Sequence, residues 1–325
     1  MRQYIIRRLI ISVITLIGAT FIVYALIRSM PVDFVTMSTA ANLNITDAHR
    51  EAMRVAYGLD SSIPVGYFRW ITSALQGDLG VSFMFGRPVS EVLAQYIPVT
   101  AIVAGLALFF QLLIGIPLGI LAARRRNTRI DYVITAFVFI GLSLPAFFFA
   151  AILKQTFGFN GLGWLPVSGM LNPRIIYDGW SIAKLLDYAR HFVMPIAVFV
   201  ITGTGYWLRF TRTNMIESLS ADYVRTARAK GVPERKVIYS HAFRNTNVTL
   251  ITLLGGALPT LFMGAFITES LFAIEGLGHI GLRAAQMADI PYLMGFNLLL
   301  IVATIVGYFI SDILYAAADP RVRLS

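Results

Sequence analysis

The sequence predicts an all-α integral membrane protein with six transmembrane helices and both termini in the cytoplasm. The chain has 325 residues, of which 57% are hydrophobic and only 14% are charged, against about a quarter charged in soluble domains. Six stretches of about 17 or more residues lack Asp, Glu, Lys and Arg, and a helix of that length crosses about 30 Å of hydrocarbon. The basic residues are also distributed unevenly between the segments that join these stretches.

We take the uncharged stretches in order as the six spans. They cover residues 9–27, 96–123, 132–153, 191–208, 245–268 and 290–311. The first contains twelve Leu, Ile, Val or Phe residues, which favour insertion by roughly 4–7 kcal/mol. It is longer than the core of a signal peptide, so we expect it to stay attached as a span. Prolines predict kinks in the second to fifth spans, at Pro98, Pro117, Pro145, Pro195 and Pro259.

The charged residues predict the orientation. The N-terminus, the segments after the second and fourth spans, and the C-terminal tail carry 17 of the 27 basic residues and 6 of the 17 acidic ones. Lys and Arg accumulate on the cytoplasmic side of membrane proteins, so these segments are predicted to be cytoplasmic. This placement accounts for the net charge of +10 without a nucleic-acid partner.

The other three connections are predicted to lie outside the cell, and the first two are long. Residues 28–95 have the composition of a small folded segment, with a capped helix starting near Asp47 and glycine turns at Gly58, Gly77 and Gly86. Residues 154–190 are rich in glycine and aromatic residues and are predicted to be re-entrant or interfacial. The chain therefore divides into residues 1–95, the first span with its outer segment, and residues 96–325, a five-helix core with a cytoplasmic loop at 209–244.

The sequence contains no motif for catalysis. It has no cysteine, no glycine-rich phosphate-binding loop, no zinc-protease motif and no nucleophile elbow. Its four histidines are far apart in the sequence. We therefore expect no enzyme activity and no catalytic, cofactor or metal site on this chain, so ATP and Mg²⁺ would be bound by partner subunits.

The loop at 209–244 predicts two short helices joined by a tight corner. Ser220 or Asp222 is expected to cap the first helix, Gly231 to end it at positive φ, and Pro233 to start the second. Tyr223, Val224 and Ala227 are expected to share one face that fits a groove, with Arg225 and Arg228 on another. The alternative is a basic loop that only fixes orientation.

The segment Asp222-Tyr-Val-Arg-Thr-Ala-Arg-Ala-Lys-Gly231 resembles the coupling loop of permease subunits in binding-protein-dependent ABC importers of the dipeptide, oligopeptide and nickel group. Further motifs resemble that group's first permease subunit in the same order: Tyr57-Gly-Leu-Asp60, Gly77-Asp-Leu-Gly-Val-Ser82, Pro98-Val-Thr100, Gly276-Leu-Gly278 and Asp319-Pro-Arg321. Met30-Pro-Val-Asp33 and Glu275 depart from the group's usual pattern. The resemblance implies the MetI-like permease fold and a location in the bacterial or archaeal plasma membrane.

The resemblance also implies the partners and the site. The partners would be a second homologous permease subunit, two ATP-binding subunits and an extracytoplasmic substrate-binding protein. The coupling residues would be Ala221, Asp222, Tyr223, Arg225, Thr226, Ala227, Arg228, Ala229, Lys230 and Gly231. The substrate would be a di- or oligopeptide, with a nickel chelate, glutathione or an oligosaccharide as alternatives, and the residues of its path are unassigned.

Two other functions remain open, an ATP-independent secondary transporter or channel and a membrane anchor for a peripheral complex. Five outer acidic residues are candidates for contact with substrate or binding protein, although solvated loop charge is the simpler interpretation. They are Asp33, Asp78, Glu269, Glu275 and Asp289.

Overall fold

The computed structural model describes residues 2–40, 45–159 and 161–318, and the side chains of 2–9, 248, 258–265 and 312–318 lie outside the described part. The described chain is helical, apart from an isolated bridge between Val81 and Pro88. The helices are α1 (Arg2–Arg28), α2 (Phe34–Thr39), α3 (Asp47–Ala56), α4 (Ile63–Leu75), α5 (Val89–Arg124), α6 (Arg129–Ser143), α7 (Ala146–Phe157), α8 (Ile182–Ser220), α9 (Asp222–Ala229), α10 (Glu234–Lys236), a π-helix (Val237–Ala242), α11 (Phe243–Phe272), α12 (Leu277–Gln286) and α13 (Ile290–Ala318).

Four of the described helices are long and apolar enough to cross a membrane: α1, α5, α8 and α13. The third predicted span is not one straight helix, because α6 and α7 meet at a bend of 100°. Leu144 is extended there (φ −98°, ψ 138°), as expected for the residue before a proline, and Pro145 is the N-cap residue of α7. The predicted kink at Pro145 is therefore a break. The fifth predicted span lies in α11, part of whose side chains lie outside the described residues.

One compact unit contains residues 2–100 and 275–305. Its core includes Tyr24, Tyr67, Ile290 and Met294. The capped helix predicted to start near Asp47 is confirmed as α3, with the hydroxyl of Thr46 accepting the N–H of His49 at 3.3 Å. The predicted turns are confirmed too, since Gly58, Gly77 and Gly86 all have positive φ.

The other compact unit contains residues 101–274 and 306–318. Its helices approach closely at glycines: a Cβ on Gly119 would lie 2.6 Å from the side chain of Thr211, and one on Gly141 would lie 2.6 Å from the carbonyl oxygen of Ile201. Small residues are the usual means by which membrane helices pack against each other. These contacts join α5 and α6 to α8.

Candidate coupling helix and helix-lined cavity

The helix that carries the predicted coupling residues is α9, and its start differs from the prediction. The backbone at Ala221 is extended (φ −71°, ψ 152°) and separates α8 from α9 without a side-chain cap. The hydroxyl of Ser220 donates instead to the carbonyl of Glu217 in α8, at 2.8 Å. Asp222 is already the first residue of α9, where its negative charge interacts favourably with the helix dipole. The predicted cap by Ser220 or Asp222 is therefore wrong.

The end of α9 confirms the predicted corner. Gly231 has φ +72°, and its N–H donates to the carbonyl of Arg228 at 2.9 Å, while the N–H of Val232 donates to the carbonyl of Ala227 at 3.2 Å. This pair of bonds is the Schellman arrangement, which uses a left-handed residue to turn the chain out of a helix. Pro233 immediately precedes α10 and so lies just outside the second helix.

The two faces of α9 are divided differently from the prediction. Val224 is fully buried and Ala227 is 8% exposed, whereas Tyr223 is 42% exposed. Val224 and Ala227 pack into an apolar cluster with Ile120, Ala123, Met215, Val237, Ile238 and Ala242. The predicted groove-fitting face of Tyr223, Val224 and Ala227 is therefore wrong, because two of its members attach α9 to the rest of the chain.

The remaining predicted coupling residues form an outward surface, which we call the α9 surface. The members of the α9 surface are all exposed: Asp222, Tyr223, Arg225, Thr226, Arg228, Ala229, Lys230 and Gly231. Ala221, at the edge of this surface, is half-buried. An ion pair also lies at the corner, where Arg228 contacts both carboxylate oxygens of Glu234 at 2.8 and 3.1 Å. The Arg228 hydrogen bonds, together with the charge of Arg124, hold the pKa of Glu234 below its ordinary value.

Two features of the second unit have no counterpart in the sequence predictions. The first is the π-helix, which connects α10 to α11 and buries Val237, Ile238 and Ala242 in the apolar cluster. The second is the buried carboxylate of Asp131, which binds Arg212 of α8 through both oxygens at 2.7 and 2.8 Å and accepts the N–H of Asn127 at 3.0 Å. This pair holds the start of α6 against α8.

A cavity of about 630 Å³ lies among α5, α8, α11 and α13 in the second unit. It is lined by Leu108, Gln111, Phe199, Thr202, Gly203, Tyr206, Trp207, Thr252, Leu253, Gly256, Ala257 and Tyr308. None of these described lining residues carries a charge. The amide of Gln111 donates to the carbonyl of Phe199 at 2.9 Å and accepts from the indole of Trp207 at 3.2 Å. A Cβ on Gly203 would overlap that amide.

The outer acidic candidates are mostly not solvated loop charges. Asp289 is buried and accepts from the Ser82 hydroxyl at 2.5 Å, the Met84 N–H at 3.0 Å and the Tyr292 N–H at 3.2 Å. It therefore caps α13 and binds the segment around Ser82 and Met84, which precedes α5, within the first unit. Glu269 in α11 is buried as well, while Glu275 and Asp78 are exposed.

The last of these candidates, Asp33, is held by hydrogen bonds. Its carboxylate caps α2 and contacts Arg54 at 2.8 Å. Burial alone would raise the pKa of Asp33, but hydrogen bonds from Thr36 and Arg54 outweigh it and lower that pKa. Asp33 thus joins α2 to α3 in the first unit.

Comparison with known proteins identifies related chains. The model of the family "binding-protein-dependent transport system inner membrane component" matches residues 115–324, and the model of its N-terminal companion matches residues 1–104. The oligopeptide transport system permease protein AppB of Bacillus subtilis is 35% identical over 99% of this chain and 100% of its own length. The di/tripeptide transport system permease protein DppB of Pseudomonas aeruginosa is 32% identical over 99% of both chains.

The fold is similar to that of a solved structure. A chain of the methionine ABC transporter MetNI, in an inward-facing conformation, matches 71% of this chain and 97% of its own length with a TM-score of 0.55 and 17% sequence identity.

Proposed function

This chain belongs to the family of inner membrane components of binding-protein-dependent transport systems, and from that membership we propose that it is the non-catalytic permease subunit of an ATP-driven peptide importer. The proposal is supported by end-to-end similarity to permeases named for oligopeptide and for di/tripeptide transport. The importer would lie in the bacterial or archaeal plasma membrane. Its other subunits would be a second homologous permease, two ATP-binding subunits that hold ATP and Mg²⁺, and an extracytoplasmic binding protein.

The proposed topology has six spans and two cytoplasmic termini. Helices α1, α5, α8, α11 and α13 each supply a span, and the bent pair α6–α7 supplies the third. Residues 1–95 form the first span with its outer segment, and residues 96–325 form the five-span core. This arrangement places α9 on the cytoplasmic side, in agreement with the excess of Lys and Arg in its loop.

The observation that carries the proposed mechanism is the attachment of α9. Its buried residues Val224 and Ala227 pack against α5, α8 and the π-helix that leads into α11. The α9 surface is free to enter a cleft on an ATP-binding subunit. Because protein interiors are close-packed and transmit displacement, a movement of that subunit would move α5, α8 and α11 together.

The same three helices line the cavity. Gln111 is nine residues from Ile120 along α5, which is about 14 Å at 1.5 Å per residue, and Trp207 lies at a similar separation from Met215 along α8. We assign this cavity to the substrate path. Its uncharged lining of amide, hydroxyl and aromatic groups fits peptides of varied sequence. It fits a bare Ni²⁺ ion less well, because imidazole is a ligand that suits Ni²⁺ and these lining residues include no histidine.

Purification tests the assembly. The tagged chain, purified from its native host in mild detergent, should bring with it a second permease, two ATP-binding subunits and a binding protein, all identified by mass spectrometry. Uptake of labelled peptides into proteoliposomes should then require ATP. Uptake by the isolated chain without ATP would instead support a secondary transporter or channel, and an assembly without uptake would support a membrane anchor.

A further inference from the structure

A second, smaller cavity lies beside α9 and is strongly basic. It has a volume of about 280 Å³ and is lined by Ala123, Arg124 and Arg125 at the end of α5, Leu219 near the end of α8, and the ion pair Arg228–Glu234. A single water occupies about 30 Å³ in the liquid, so this space accommodates a polyatomic ion. We call it the Arg124 pocket.

The charges lining the Arg124 pocket are not balanced. Three arginines face one carboxylate, and both oxygens of that carboxylate are already bound by Arg228. Within the described part of the chain, the guanidinium groups of Arg124 and Arg125 make no ion pair with a carboxylate. Arg124 is nevertheless near enough to Glu234 for its charge to lower the pKa of that carboxyl. The pocket thus retains two uncompensated positive charges from adjacent residues.

We propose that the Arg124 pocket binds the phosphate group of an anion. Guanidinium groups bind phosphate oxygens through paired, charge-assisted hydrogen bonds, and two arginines with an apolar floor of Ala123 and Leu219 provide such a site. Arg124 is the last residue of α5. In the proposed topology it lies where that helix leaves the hydrocarbon, at the level of the phosphates of the cytoplasmic leaflet. A phospholipid headgroup and a free phosphate share this chemistry, and the test below separates them.

A bound phosphate would link the end of α5 to the corner after α9. Arg124 ends α5, Arg125 follows it directly, and Arg228 belongs to α9. One anion between them would therefore hold α9 more firmly against its apolar cluster. The occupied pocket would therefore strengthen the transmission of movement from the ATP-binding subunit. This regulatory effect rests on the proposed function, whereas binding of the anion does not.

Binding is measured on the full chain in lipid nanodiscs, in phosphatidylcholine alone and in phosphatidylcholine with increasing fractions of phosphatidylglycerol. Hydrogen-exchange mass spectrometry follows residues 217–236, and native mass spectrometry counts the phosphatidylglycerol molecules retained. We expect slower exchange in 217–236 as the anionic lipid is added. If neither phosphatidylglycerol nor inorganic phosphate changes hydrogen exchange in residues 217–236 of the wild-type chain, the proposal is overturned.

The matched variants are R124Q/R125Q and R126Q/R129Q. Both remove two positive charges from the same short connection, but only the first pair lines the pocket. Because R124Q/R125Q loses charge-assisted hydrogen bonds to the phosphate, its apparent affinity for phosphatidylglycerol should be at least about tenfold weaker than that of the wild type. The affinity of R126Q/R129Q should stay within about twofold of the wild type. Equal weakening in both variants would show diffuse attraction to the basic loop and would overturn the site.

The source of the phosphate follows from a second titration, with inorganic phosphate up to millimolar concentrations in phosphatidylcholine nanodiscs. Protection by phosphatidylglycerol alone identifies a lipid headgroup, and protection by inorganic phosphate identifies a free ion. The effect on coupling is measured separately, as ATP hydrolysis stimulated by the binding protein in the complete transporter. Lipid binding without any change in that stimulation would count against the regulatory effect and leave the proposed function to its own test.

Discussion

Replacement of Gly231 by valine should uncouple ATP hydrolysis from transport. Gly231 has φ +72°, and a Cβ there would meet no atom within 4 Å, so the cost of a side chain comes from the backbone and not from a clash. A left-handed conformation costs a residue with a side chain about 1–2 kcal/mol, and β-branching adds to it. Relaxation of that strain would break the Schellman pair, whose two hydrogen bonds contribute about 0.5–1.5 kcal/mol each.

The corner therefore loses about 1–2 kcal/mol if the strained backbone is kept, or about 1–3 kcal/mol if it relaxes and both hydrogen bonds break. Either loss is enough to favour a different path for the chain after α9. In proteoliposomes with all partner subunits we expect Gly231→Val to lower peptide uptake at least about tenfold relative to ATP hydrolysis. Gly231→Asn is the matched control, because asparagine tolerates positive φ and should retain most of the uptake. Wild-type uptake in Gly231→Val, or equal losses in both variants, would refute the role of the corner.

Three further changes test the surroundings of α9. Val224→Asp buries an unpaired carboxylate in the apolar cluster, which costs several kcal/mol, so co-purification of the ATP-binding subunits should be lost while Val224→Ala retains it. The pKa of Glu234 is lowered in the folded chain, so its pair with Arg228 stabilises the corner fully at a pH above the ordinary carboxyl pKa of about 4.3. This stabilisation is lost as the pH falls through the pKa of the folded state. Amide hydrogen exchange at residues 228–236 should therefore rise on acidification in the wild type and much less in Glu234→Gln. Asp131→Asn leaves Arg212 without its carboxylate partner and should lower the free energy of unfolding by about 2 kcal/mol. This is less than the roughly 3–5 kcal/mol for breaking a fully buried pair, because the side chain of Arg212 is 28% exposed. A thermal unfolding midpoint equal to that of the wild type would contradict this.

Local signals in the sequence predicted local structure well. The composition and the uncharged stretches predicted an all-helical membrane chain. Gly231 was placed correctly because glycine adopts positive φ more readily than any other residue. Thr46-Asp47 likewise predicted the start of α3. These features depend on residues that are near in sequence, so their pattern is visible without the fold.

Features that depend on distant residues were missed or misplaced. Helical spacing put Val224 and Ala227 on one face of α9, but it did not reveal that α5 and α8 cover that face. Similarly, the buried position of Asp289 depends on Ser82, a residue 207 positions away. The pairing of Asp131 with Arg212 and the lining of the cavity arise in the same way, from helices that meet only in the folded chain.

The most direct test of the central claim uses two alanines of α9 that differ in burial. Ala229 lies on the α9 surface and Ala227 lies in the apolar cluster, and the chain has no cysteine of its own. Ala229→Cys in the assembled transporter, labelled at its thiol with a short photoreactive cross-linker that inserts into any neighbouring chain, should cross-link to an ATP-binding subunit in a yield that changes when ATP binds. Ala227→Cys should not cross-link. Absence of any cross-link from Ala229→Cys, in a complex that still transports peptides, would contradict the account.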